Sequence, residues 1–76
     1  MTEPPGLHLT RREREIVGLL MDGCTNKEVA SRLGISDQTV KNQLSALYRK
    51  AGVSSRLELV LLMQHAAHER VLKAAD

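Results

Sequence analysis

The sequence predicts an all-α fold of four helices, and three features carry that expectation. A Ser or Thr followed three residues later by Glu occurs at Thr10/Glu13, Thr25/Glu28 and Ser55/Glu58. In this arrangement each side chain satisfies the other's unpaired backbone N–H at the start of a helix. Gly23, Gly34 and Gly52 stand where helical runs should stop, because a residue without Cβ takes the left-handed conformation at little cost. No stretch alternates apolar and polar residues as a half-buried strand would.

The elements follow in order. Residues 1–8 contain Pro4, Pro5 and Gly6, which do not propagate a helix, and read as a flexible tail or linker remnant before a folded unit over residues 9–76. The first helix is expected from Arg11 to about Asp22, capped by Thr10 and Glu13, with Leu9 placed to staple its start and Ile16, Val17, Leu19, Leu20 and Met21 on a broad apolar stripe. A short second helix over Asn26 to Leu33 should bury Val29, Ala30 and Leu33 before Gly34 ends it. Ser36 caps the third, and Asp37 complements the positive end of its dipole. That helix should reach about Ala51, with Val40, Leu44, Leu47 and Ala51 recurring on its inner face. Ser55 opens a fourth, from Arg56 through about Lys73. Glu15 and Arg56 are candidates to tie the first helix to the fourth.

Size and composition narrow the function. A chain of 76 residues makes one domain with a modest core and no room for a deep enzyme cleft. Tyr48 is the single aromatic residue, which argues against stacking on single-stranded nucleic acid. The net charge of +2 is too small to identify a polyanion partner, but its distribution is informative: between Gln38 and Lys50 lie Lys41, Arg49 and Lys50 and no acid. Cys24 is the lone cysteine, so nothing requires an oxidising compartment, and the apolar run from Leu57 to Met63 is too short to span a bilayer. A cytoplasmic protein with no membrane contact is the expectation. His65 and His68 lie three apart, but zinc needs further ligands and Cys24 is remote, so neither a metal nor another cofactor is expected. An enzyme is disfavoured: no nucleophile–base pair, metal cluster or phosphate loop is apparent.

The informative constellation is a short helix, a tight glycine turn, and a second helix with a polar, basic outward face. Ala30 is small where two helices cross, Gly34 permits a positive φ, and Val40 packs underneath. These are the positions at which a helix-turn-helix is most demanding. With Val40, Leu44 and Leu47 pointing inward, Gln38, Lys41, Asn42, Ser45 and Arg49 fall on the opposite side, able to donate hydrogen bonds into the major groove of double-stranded DNA. Ser36 at the start of the same helix joins the candidate site.

The segments Leu9-Thr10-Arg11-Arg12-Glu13-Arg14-Glu15, Gly23-Cys24-Thr25-Asn26-Lys27-Glu28-Val29-Ala30, Ile35-Ser36, Thr39-Val40-Lys41 and Gly52-Val53-Ser54-Ser55-Arg56 resemble the LuxR-type helix-turn-helix. The resemblance covers roughly Leu9 to Met63. It implies a four-helix DNA-binding domain, usually carboxy-terminal to a receiver or small-molecule-sensing domain, that regulates transcription and dimerises through its last helix. By position it places Lys41 and Asn42 at bases and nearby phosphates, Ser45 one turn further along, and Lys27 and Thr39 near the DNA backbone. Two departures stand out: Gln43 replaces the usual histidine, with an effect expected on groove or phosphate contacts, and Ala51 replaces a common leucine.

The fourth helix carries more apolar surface than one core stripe needs. Leu59, Val60 and Met63 should face inward, leaving Leu57, Leu61 and Leu62 for a symmetric homodimer contact with Gln64, His65 and His68 at its edge. RNA polymerase is a further candidate partner. Two other classes compete with a dimeric regulator: promoter recognition in the manner of region four of a sigma factor, against which the hydrophobic fourth helix argues, and a protein-interaction module whose third helix never meets DNA.

Overall fold

The computed structural model of the chain describes residues 3–75, with side chains through residue 66. Four helices follow one another: α1 (Arg11–Met21), α2 (Asn26–Leu33), α3 (Asp37–Ala51) and α4 (Arg56–Ala75), with no strand among the described residues. The starts coincide with the capping signals. Thr10 Oγ1 accepts from the Glu13 amide at 3.1 Å while the Glu13 carboxylate accepts from the Thr10 amide at 2.8 Å, and Thr25 with Glu28 repeats the exchange at 3.2 and 2.9 Å. At α4 the exchange is displaced. Ser55 Oγ accepts from the Glu58 amide, but the Glu58 carboxylate reaches one residue further back, to the Ser54 amide at 2.6 Å.

The glycine stops hold as well. Gly34 and Gly52 cap α2 and α3 in the left-handed conformation at φ 68° and 72°. The Ile35 amide then bonds back to the Ala30 carbonyl at 3.0 Å, which tightens the turn that sets α3 across α2.

All four helices meet in one aliphatic core. Ile16, Val17 and Leu20 of α1, Val29 and Ala30 of α2, Val40, Leu44 and Leu47 of α3, and Leu59 and Met63 of α4 are buried together. Leu33 and Val60 pack against this cluster while remaining partly exposed. The core also extends toward the amino terminus, past the boundary drawn at residue 9. Leu7 is buried, its amide donates to the Pro4 carbonyl at 3.1 Å, and Glu3 meets Arg14 at 3.5 Å. Leu9 enters the core rather than stapling an apolar partner. The residue four places into α1 is Arg14, whose guanidinium donates to the Leu9 carbonyl at 3.0 Å.

Long polar side chains set how the helices lie on one another. Lys50 of α3 reaches Glu13 of α1 at 2.7 Å, and Arg56 of α4 donates to Asn26 Oδ1 of α2 at 3.1 Å. The expected link from Arg56 to Glu15 is therefore absent. Glu15 pairs instead with Arg11 and Arg12, both at 3.7 Å, its neighbours four and three places back on the same helix surface.

Candidate nucleic-acid interface

The outward stripe of α3 follows from its inward one. Val40 and Leu47 are fully buried and Leu44 nearly so, and their spacing leaves Gln38, Lys41, Asn42, Ser45 and Arg49 exposed together on the far side. Burial of three aliphatic side chains, each worth about 1.5–3 kcal/mol, holds the helix in this rotation. The stripe is hydrophilic throughout, which suits a surface that exchanges water for the polar edges of a duplex groove.

At the amino-terminal end of α3, Ser36 Oγ accepts from the Thr39 amide at 3.0 Å and shares a hydrogen bond of 2.8 Å with the Thr39 hydroxyl. Ser36 is exposed and Thr39 is half-buried, so this pair first shapes the start of the helix. One turn on, Gln38 Nε2 donates to Asn42 Oδ1 at 3.0 Å across the exposed face. Lys27 stands exposed in the first turn of α2. The structure thus brings Gln38, Lys41, Asn42, Ser45 and Arg49 onto one stripe and puts Lys27 on the neighbouring helix.

Two residues near the stripe face elsewhere. Gln43 and Lys50 lie seven apart, on one flank of α3, and that flank faces α1. Lys50 is held by Glu13 there, while Gln43 and Arg12 line a cleft with Thr10, Glu13 and Ala46. Gln43 Oε1 and Arg12 Nη1 are both shielded from solvent in this cleft and have no hydrogen-bond partner. Contrary to the expectation from its place in the motif, Gln43 is turned toward α1 and not toward the groove-facing stripe. Glu13 carries the electrostatics of this corner. Partial burial raises its carboxyl pKa, but hydrogen bonds from Lys50 and Thr10 outweigh that and hold it below the ordinary value of 4.5. Glu28, bonded by the Thr25 amide and hydroxyl, is lowered likewise.

On α4, Leu57 and Leu61 remain 66% and 53% exposed, one helical turn apart, whereas Leu62, expected beside them, is half-buried. Gln64 and His65 are exposed next to this ridge, and the side chain of His68 lies outside the described residues. No helix among the described residues is long and apolar enough to cross a membrane. A surface groove of about 650 Å³ lies away from α3 between α1 and α2, over Gly18, Leu19, Met21 and Leu33.

The family described as bacterial regulatory proteins, luxR family, matches residues 7–63. The chain is 52% identical over 54 residues to the probable transcriptional regulatory protein SgaR of Hyphomicrobium methylovorum, covering 71% of this chain and 26% of SgaR. It is 47% identical over 53 residues to the spore germination protein GerE of Bacillus subtilis, covering 70% of this chain and 72% of GerE. Against the DNA-binding transcriptional activator DevR/DosR of Mycobacterium tuberculosis the identity is 37% over 62 residues, 82% of this chain and 29% of that protein. The chain therefore spans about a quarter of SgaR and a larger share of GerE.

Proposed function

Because the chain belongs to the LuxR family of bacterial regulatory proteins, we propose that it binds a specific double-stranded DNA site and regulates transcription, with α3 lying in the major groove. One observation carries this reading: the hydrophilic stripe Gln38-Lys41-Asn42-Ser45-Arg49 stands directly opposite the buried Val40, Leu44 and Leu47, on the second helix after a Gly34 turn. Lys41, Asn42 and Ser45 meet base edges and adjacent phosphates. Lys27, Ser36, Thr39 and Arg49 meet the backbone on either side, Ser36 and Thr39 through hydroxyls that already lie at the helix start.

The active form is a homodimer through α4. The Leu57 and Leu61 ridge supports this, since apolar groups one turn apart and more than half exposed gain from a second copy's ridge. Leu62 borders the contact, with Gln64, His65 and His68 at its rim. A two-fold axis there reads two half-sites in opposite orientation. RNA polymerase is the downstream partner, and the cytoplasm is where the protein meets its DNA.

Selecting bound duplexes from a random pool tests the proposal. A motif made of two inverted half-sites is the expected outcome. An asymmetric site would point to monomeric promoter recognition, and recovery of no enriched duplex would make the domain a protein-interaction module.

A further inference from the structure

We propose that Gln38 and Asn42 read the groove as one coupled unit, in which Gln38 occupies the Asn42 carbonyl and turns Asn42 into a reader of guanine. The inference rests on α3 being the recognition helix, and it concerns which base the helix selects.

A carboxamide carries one carbonyl oxygen and two N–H donors. An unattached asparagine in the major groove pairs best with adenine, its oxygen accepting from N6 and its N–H donating to N7. In this protein the oxygen is already engaged, because Gln38 Nε2 donates to Asn42 Oδ1 at 3.0 Å, and both side chains are exposed on the groove-facing stripe. An adenine N6 amino group approaching Asn42 would have to share that oxygen, and would bring its donor against the Gln38 amino group. What Asn42 offers freely is its pair of Nδ2 donors. They complement the edge that presents two acceptors, O6 and N7 of guanine.

Gln38 is the other half of the reader. One Nε2 hydrogen is spent on Asn42, which leaves Oε1 as an acceptor and one remaining N–H donor. That combination of one acceptor and one donor fits adenine, which offers the N6 amino group and the N7 acceptor, at the neighbouring pair. The four-residue separation keeps the two amides in register, since side chains one turn apart on a helix surface are adjacent. Removing Gln38 therefore alters the base chosen by Asn42, which a pair of independent readers would not do.

The experiment is the random-duplex selection repeated with Asn42→Ala, Gln38→Ala and Gln38→Glu, each checked by circular dichroism for unchanged helix content. The position whose preference disappears in Asn42→Ala is the one Asn42 reads, and in the unaltered protein it should be guanine. In both Gln38 variants the Asn42 oxygen is released, and the ratio of guanine to adenine at that position should fall roughly tenfold or more. An unchanged guanine preference in both Gln38 variants would overturn the coupling, as would adenine at that position in the unaltered protein. Enrichment of no motif by the unaltered protein would overturn the DNA-binding reading as well, and that arm alone separates the two failures.

Discussion

The ion pair between Lys50 and Glu13 predicts how the basic residues divide their work on a duplex. Lys27, Lys41 and Arg49 are exposed and enter none of the ion pairs of the described residues, whereas Lys50 is held by Glu13 at 2.7 Å with its side chain only 36% exposed. Each phosphate neutralised contributes about −0.9 to the slope of log affinity against log salt. The three candidate interface cations Lys27, Lys41 and Arg49 then predict about −2.7 per protomer, and a dimer about −5.4. Lys41→Ala removes two contacts from the dimer and should reduce the slope to about −3.6. Lys50→Ala should leave it near −5.4, because its charge is directed at α1. Between roughly 50 and 200 mM salt these slopes mean affinity losses of about 2,000-fold for the parent and Lys50→Ala, but about 150-fold for Lys41→Ala. Fluorescence anisotropy of a labelled operator duplex titrated at several KCl concentrations reads the difference. Equal reductions of slope by the two substitutions would refute the division.

Other consequences concern the scaffold. Leu47 is fully buried, so Leu47→Ala should lower stability by about 2–5 kcal/mol in thermal or urea unfolding. Domains of this length have only about 4–11 kcal/mol in total, so that substitution should leave the protein partly unfolded near its working temperature. Leu61→Ala, at a position 53% exposed, should change the monomer by less than about 1 kcal/mol. Leu57→Glu with Leu61→Glu should abolish dimer formation in sedimentation on the operator while helix content stays the same; a persistent dimer would move the contact elsewhere. The Glu13 carboxyl is held below 4.5 in the folded state, so its contribution is present above that pH and is lost as pH falls through the lowered value. Glu13→Gln should therefore lower the urea midpoint at pH 7 and narrow the gap between pH 7 and pH 3. An unchanged gap would remove Glu13 from the acid response.

Capping and stop signals were legible in the sequence because they act within three or four residues. Thr10/Glu13 and Thr25/Glu28 began their helices as their spacing required, and Gly34 and Gly52 ended theirs. The α3 stripe was equally readable, since helical periodicity assigns Val40, Leu44 and Leu47 to one side and Gln38, Lys41, Asn42, Ser45 and Arg49 to the other without knowledge of the rest of the fold. What escaped depends on where distant helices come to rest. Glu13 and Lys50 are 37 positions apart and Asn26 and Arg56 are 30 apart, and no local rule couples them. Gln43 belongs to the same group. Its place two residues after Lys41 suggested the groove, but its flank of α3 is the one that α1 covers. Burial of Leu7 was masked by the Pro4-Pro5-Gly6 run before it, which bars a helix but closes a turn, with the Leu7 amide on the Pro4 carbonyl, that brings Leu7 into the core.

The most direct test of α3 as the groove-reading element is amide chemical-shift mapping of the isotopically labelled protein with its selected duplex. The backbone amides of residues 36–49, the side-chain amides of Gln38 and Asn42, and the first turn of α2 around Lys27 should move most, while Leu19, Met21 and Leu33 in the α1–α2 groove stay unperturbed. Shifts confined to that groove or to the Leu57–Leu61 ridge, with Gln38 through Arg49 silent, would contradict it.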